Sequence, residues 1–194
     1  NNGVTFITVA LKEPGAAKYP LIDIASECNT FPADSHVNEN LLRAFCRANC
    51  FCKDGFTQLS LGDDGCRKYG ECYRVNFLPL SYNAASSACK EIGGRLPDAS
   101  FEEKDNFIKD LHVSAKFFPF WISQRCDSFL SCNADRNYSI ASNSYVNWCS
   151  TSYPDFSQGN CVYEDRCNEA VTGWFNADCN DITTNRFFAC QIDA

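Results

Sequence analysis

Fourteen cysteines in 194 residues constrain this chain more than any other feature. The number is even, and no spacing suits a metal-chelating set. Cys50-Phe51-Cys52 is too tight, and Cys126 and Cys132 are too far apart for a C-x2-4-C pair. Such a set reads as a disulfide framework formed in an oxidising compartment. Five of the cysteines fall in the closing stretch from Val146 to Cys190, with Trp148, Trp174 and a Pro154-Asp155 turn between short β-prone pieces such as Val162-Tyr163 and Phe187-Phe188. The last, Cys190, needs a partner far upstream, because small disulfide-built folds close on themselves. Cys89 is the candidate, since it lies on a helix-like segment with its thiol on the inward stripe. A cross-link over so long a loop removes roughly 4–5 kcal/mol of denatured-chain freedom in the chain-entropy model.

The formal charge is −7, and no basic run is longer than Arg67-Lys68. Nucleic acid and other polyanions are therefore not the expected partners, since their binding depends on clustered Lys and Arg. No apolar run approaches the ~20 residues of a membrane span. The sequence begins Asn1-Asn2-Gly3 and contains no methionine, so the expectation is a processed, secreted protein or a piece of a longer one.

Two regions differ in pattern. Residues 1–51 open with Val4–Leu11, an almost continuous apolar and β-branched run that predicts a strand buried on both faces of a parallel sheet. Short helices are predicted over Tyr19–Ser26 and from Asn38, the second with Leu41, Leu42 and Phe45 on one stripe beside Cys46. Strand, helix, turn, helix is the order of an α/β layer, which some fifty residues cannot close alone.

From Cys52 a hairpin-like segment leads through the turn-rich Leu61–Gly65 to Cys72-Tyr73. Ser81 is placed to cap a helix with Tyr82, Ala85, Cys89 and Ile92 inward, ended by Gly93-Gly94. Ser100-Phe-Glu-Glu103 reads as a capping box for a second helix that buries Phe101, Ile108 and Leu111. Phe117–Ile122 predicts a strand, and the chain beyond it becomes a long polar loop region with short strands. Residues 52–194 thus read as an α+β domain.

These residues carry a family resemblance. Cys72-Tyr73, the helix ending Cys89-Lys-Glu-Ile-Gly93-Gly94-Arg-Leu96, Phe120-Trp121-Ile122, Trp148, Pro154, Asn160-Cys161, Trp174 with Cys179 five residues on, and Phe188-Ala-Cys190 occur in the order of a long-form C-type lectin-like domain. The match resembles the secreted C-type lectins of nematodes. It implies a disulfide-stapled fold of two helices, two small antiparallel sheets and a long loop region. It further implies core bridges Cys89–Cys190 and Cys161–Cys179, and Cys52–Cys72 as the long-form addition. Cys126–Cys132 and Cys149–Cys167 are then expected as loop staples and Cys28–Cys46 as a staple of the front piece, with Cys66 left for Cys50. The front piece itself resembles the end of a von Willebrand factor A domain. That family's Asp-x-Ser-x-Ser metal motif has no counterpart here, and an ordinary N-terminal extension remains the alternative.

Sugar-binding members of the lectin family work through calcium, which needs six to eight oxygen ligands. Their Glu/Gln-Pro-Asn/Asp triplet, on a cis-proline loop, corresponds to Tyr153-Pro154-Asp155. Their Glu before Asn-Cys corresponds to Gly159, and their Trp-Asn-Asp to Trp174-Phe175-Asn176. Only Asp155 and Asn176 keep ligand-type side chains, so no cofactor is expected. Were calcium retained, Asp155, Asn176, Glu164 and Asp178 would be its ligands, with Asp165 as a further nearby carboxylate.

Without the metal, the loop region from Cys126 to Gly173 still carries Tyr138, Tyr145, Trp148, Tyr153, Phe156 and Tyr163 among Asn, Ser and Asp, the composition of a recognition surface. Trp148 and Trp174 are expected in the core. Tyr145, Tyr153 and Phe156, with Asp155, Gln158 and Asn176, are the expected ligand-binding set. Asn137-Tyr-Ser139 is a glycosylation sequon.

Nothing supports an enzyme. Both histidines, His36 and His112, lack a readable nucleophile beside them, and the carboxylate pairs Asp63-Asp64 and Asp178/Asp181 sit in polar turns. The expectation is a secreted module that binds an extracellular protein or glycan without calcium. The alternatives are a calcium-dependent lectin with substituted ligands and a structural or assembly module.

Overall fold

The computed structural model describes residues 4–10, 24–49, 52–62, 66–116, 118–128, 131–133 and 145–194. In the front piece, β1 (Thr8–Ala10) pairs in parallel with β2 (Thr30–Pro32), Thr8 facing Thr30, and α1 spans Val37–Asn49. The strand is shorter than the apolar run suggests and is not sealed on both faces. Val4 is 71% and Phe6 53% exposed, because a two-stranded sheet among the described residues has no layers to bury them. Residues 24–26 are not helical, and the rest of the helix expected over Tyr19–Ser26 lies outside the described residues.

The inward stripe of α1 also differs from the expected one. Ala44 is buried, whereas Leu42 and Phe45 face solvent. Arg47 decides the rotation. Its guanidinium donates to Cys28 O (2.7 Å), Asn29 Oδ1 (2.9 Å) and Cys66 O (3.3 Å) and lies over the Phe31 ring. Charge-assisted bonds of this kind outweigh the burial of one apolar side chain.

Cys28 is bonded to Cys66, not to Cys46, and Cys66 is therefore not the partner of Cys50. Cys66, next to the start of β4, is carried back against the strand β2 that follows Cys28. Proximity along the chain is a poor guide to proximity in space here, and the front piece is covalently fastened to the main domain.

The main domain begins with the antiparallel hairpin of β3 (Thr57–Leu61) and β4 (Arg67–Leu80). Next come α2 (Tyr82–Glu91), α3 (Glu102–Ala115), β5 (Phe120–Ser128), β6 (Ser131–Asn133), β7 (Cys161–Arg166), β8 (Thr172–Ala177) and β9 (Arg186–Asp193). The strands form a single sheet in the order β3-β4-β9-β5-β7-β8, with β6 alongside β5. The two small antiparallel sheets implied by the resemblance are fused, because Phe120 and Trp121 of β5 pair in parallel with Phe187 and Phe188 of β9.

Alternation along β5 divides the core. Phe120 and Ile122 join Leu59, Tyr73, Ile108, Val162 and Trp174 on the α3 side. Trp121 joins Tyr82, Ala85, Cys89, Leu96, Phe188 and Cys190 on the α2 side. Cys89–Cys190 ties α2 to β9, Cys161–Cys179 ties β7 to the segment after β8, and Cys52–Cys72 closes the hairpin. Cys149–Cys167 links two loops. Cys126 is oxidised and stands opposite Cys132 in the β5–β6 ladder.

Both helix starts differ in detail from the sequence pattern. Ser81 caps α2 through its backbone only, and Ile92 is partly exposed beyond the inward stripe. The expected capping box on α3 is absent. The N-cap is Phe101, with no side-chain cap and its ring partly exposed, while Ser100 is buried one residue earlier. The first turn of α3 still carries Glu102, Glu103 and Asp105, which favour a helix N-terminus electrostatically.

Candidate ligand-binding site

The described chain resumes at Tyr145 and passes the end of β8 through a cis Tyr153–Pro154 bond. Asp155 then caps a short 3-10 turn, Phe156–Gln158. Its carboxylate accepts from Ser157 Oγ (2.7 Å), Ser157 N (3.0 Å) and Gln158 Nε2 (3.0 Å). The Ser157 hydroxyl foremost, then its N–H and Gln158, hold the Asp155 carboxyl below the usual range.

Asn176 anchors this turn from β8. It is buried, and its Oδ1 accepts from Asp155 N at 2.8 Å, while Nδ2 donates to Asp155 O at 2.6 Å and to Gly159 O. Its amide is therefore committed to the backbone of the loop. It does not face a ligand as the sequence suggested.

The other positions at which the family pattern places calcium ligands are filled differently. The rings of Tyr153 and Phe175 meet edge to face, with centroids 4.8 Å apart. Phe175 in turn stacks on Tyr163 at 5.4 Å, and the Arg186 guanidinium lies 3.7 Å from the Tyr163 centroid and 4.4 Å from that of Trp121. Gly159 has φ +119°, and a Cβ there would run into the backbone of Ala177 and Asp178. A side chain of any length is excluded at that point.

The four conditional calcium ligands are not brought together. Glu164 is buried on Lys109, 3.4 Å away. Asp178 Oδ1 accepts from Asn180 N at 2.9 Å. Asp155 and Asn176 are engaged as described above. Among the described residues no group of three or more His, Cys, Asp or Glu is placed to hold a metal ion.

The rest of the expected binding set divides. Phe156 is 45% exposed, Gln158 is exposed, and Tyr153 and Asp155 are half-buried at the rim. Tyr145 points the other way, donating its hydroxyl to Asp105 Oδ2 at 2.8 Å with its ring against Trp174. Trp174 is buried, and Trp148 is half-buried with its ring edge on Trp174. Asn137 and Tyr138 lie outside the described residues.

Beneath the loop lies a cluster that the sequence reading missed. Buried Asp105 of α3 accepts from Tyr145, from Asn147 Nδ2 (3.0 Å) and from Trp174 Nε1 (3.3 Å), and pairs with Lys109 at 3.0 Å. The available signal was the spacing Asp105, Ile108, His112, which places a carboxylate on the inward stripe of α3.

A mixed sheet flanked by two helices and closed by disulfides defines the class of the domain as an α+β, disulfide-stapled fold. The solved structures agree. Human lithostathine matches with a TM-score of 0.58 at 18% identity, covering 76% of this chain and 94% of that one. The C-type lectin domain of murine dendritic cell inhibitory receptor 2, solved in complex with N-glycan, matches with a TM-score of 0.55 at 17% identity, covering 74% of this chain and all of that one. Such likenesses establish the fold. In sequence the chain is 28% identical over 181 residues to C-type lectin domain-containing protein 160 of Caenorhabditis elegans, covering 82% of this chain and 27% of that protein. It thus spans about a quarter of that relative's length. No family model matches. The chain has the fold of the C-type lectin domains and is similar in sequence to one C-type lectin domain-containing protein.

Proposed function

We propose that this chain is an extracellular recognition module that binds a protein or glycan, without calcium, through the rim formed by Tyr153, Asp155, Phe156 and Gln158. The observation that carries the calcium-free part is the way the three ligand positions are filled. Tyr153 packs on Phe175, Gly159 has no room for a side chain, and Asn176 spends its amide on the loop backbone. Supporting a binding role, Phe156 and Gln158 are outward on a loop pinned from below, which lowers the ordering cost of binding. The disulfides support an oxidising, extracellular setting.

A glycan and protein array probed in calcium and again in chelator tests this reading, together with thermal unfolding in both buffers. Binding and melting temperature should be the same in the two conditions. An intact calcium site at a hundredfold excess over its Kd would add about 2.7 kcal/mol of stability, and a rise of that size would overturn the proposal.

For residues 1–51 we propose the end of a larger α/β layer. The parallel β1–β2 pair and the outward Leu42 and Phe45 support this, because parallel sheets are ordinarily covered on both faces. Native mass spectrometry of the chain and of its L42D/F45D variant checks whether that face drives assembly. A wild-type monomer indistinguishable from the variant counts against it.

A further inference from the structure

Asp105 on α3 and Glu164 on β7 are both fully buried, and one lysine serves them. Lys109 Nζ stands 3.0 Å from Asp105 Oδ2 and 3.4 Å from Glu164 Oε1. Asp105 is well supplied with donors: the Tyr145 hydroxyl, Asn147 Nδ2 and Trp174 Nε1 all point at it. Glu164 is not. Neither of its oxygens accepts a hydrogen bond of ordinary geometry, and its neighbours are Lys109, the Asp105 carboxyl and Thr172. From β8 the cluster is faced by Trp174, and from β5 by Phe120, which stands opposite Glu164 in the β5–β7 ladder. His112, further along α3, stacks on that same Phe120 ring at 3.8 Å, and Glu102 adds its charge near Tyr145.

The arithmetic of charge is simple at the centre. Two carboxylates and one ammonium leave a net negative charge away from water, whereas two carboxyls sharing one proton, with the same ammonium, are neutral. Burial penalises the first state heavily. Besides the shared Lys109, three donors stabilise a carboxylate at Asp105 and only Thr172 does so at Glu164, so the proton belongs on Glu164. The same Asp105 holds Tyr145 and Asn147, at the start of the described segment 145–194.

We propose that the Asp105–Glu164 pair is a proton-dependent pin for the segment 145–149: while Glu164 keeps its proton the cluster is neutral and Tyr145 and Asn147 hang on α3, and loss of that proton lets them go. This stands independently of what the outer rim binds. Burial first, and the Asp105 charge second, push the Glu164 carboxyl up from 4.5 to about 9. A carboxyl raised in this way binds a proton in the folded chain that the unfolded chain has already lost. Its stabilising contribution is complete below pH 4.5 and disappears as pH climbs through about 9. Two neighbours stay fixed across that window. Burial acts to lower Lys109, but Glu164 and Asp105 outweigh it and raise the ammonium above its ordinary value. Burial and Asp105 likewise raise the Tyr145 hydroxyl.

The test is a titration from pH 6 to 10.5 of the folded chain, read by carbon-13 NMR of glutamate side-chain carboxyls, by tryptophan fluorescence (Trp148 and Trp174 border the cluster), and by hydrogen exchange of residues 145–149. The wild type should show one carboxyl titrating near 9. With the same midpoint it should show a reversible change in fluorescence and at least tenfold faster exchange at residues 145–149, after correction for intrinsic rate. Glu164→Gln, a permanently neutral isostere, should abolish that transition. Lys109→Met, which removes the cation, should move it to higher pH. A Glu164 carboxyl titrating below pH 6 would overturn the proposal, as would the same fluorescence and exchange transition in Glu164→Gln. Should that variant not fold, the carboxyl titration of the wild type decides the matter alone.

Discussion

Replacing Asn176 by aspartate restores the residue that the calcium-binding pattern expects, and the structure says that this should harm the protein. Asn176 is 1% exposed, and its Nδ2 serves two carbonyls, Asp155 O and Gly159 O, while its Oδ1 accepts from Asp155 N. Aspartate keeps the acceptor and turns the donor into a second oxygen that faces both carbonyls. Two hydrogen bonds at about 1 kcal/mol each are lost, and a buried carboxylate is set against two acceptors, so the cost at neutral pH should be about 3–5 kcal/mol. Alanine, which leaves both carbonyls and also Asp155 N unsatisfied but adds no charge, should cost about 2–3 kcal/mol. The order matters more than either value: aspartate should be worse than alanine. The deficit of N176D should also shrink in acid, because the introduced carboxyl, once protonated, can donate one bond back. The sign follows from its environment, which raises the folded-state pKa, so stability is regained as pH falls. Urea unfolding at pH 7 and pH 4.5, with equal m-values, measures both effects. An aspartate variant within about 1 kcal/mol of wild type, less than the two lost bonds alone, or one stabilised by calcium, would refute the reasoning.

Gly159→Ala should cost about 2 kcal/mol or more in the same assay, because φ is +119° and the added methyl meets the backbone of Ala177 and Asp178. Removing the Cys89–Cys190 bridge as a double alanine variant opens a separation of 101 residues. Guanidinium unfolding should show a loss of up to about 4.7 kcal/mol, the chain-entropy value for a loop of that size. Arg186→Met should cost about 1–2 kcal/mol and alter Trp121 fluorescence, since the guanidinium lies between Trp121 and Tyr163 and is only 8% exposed.

The main domain was legible because its signals are local or doubly encoded. The inward stripe of α2 contains Cys89, and Gly93 at φ +78° stops the helix where the sequence places the stop. Trp174, Cys179 and Cys190 fall at spacings that few other arrangements satisfy. The front piece is less legible because its determinants are distant. Cys28 reaches Cys66 across the main domain's hairpin, and nothing in the local sequence distinguishes that partner from Cys46. The rotation of α1 follows from Arg47 meeting carbonyls 19 residues away, whereas an apolar count favours Leu42 and Phe45.

At the site, the departures from the lectin family's calcium-ligand pattern can be read residue by residue, but the contacts that fill those positions cannot. That Tyr153 and Phe175 touch, and that Asn176 is consumed by its own loop, depends on the pairing of β8 with the turn at 155–159. By charge alone Glu164 reads as a loop residue. Its position in β7 opposite Trp174 turns it inward, where Lys109, Thr172 and a retained proton make it tolerable.

The register of the last strand also sets how the domain bears tension. Glu71 and Cys72 lie beside Asp193 and Ile192, and Cys52 is bonded to Cys72. A pull applied at Cys52 and at the end of β9 therefore passes through one disulfide and a few ladder rungs, without crossing the aromatic rim. Peeling β9 away from β4 frees Asp193, Ile192 and Gln191 and then stops at Cys190, which is welded to α2. The load is shunted through β4, β9 and α2, and the turn at 153–158 is left slack.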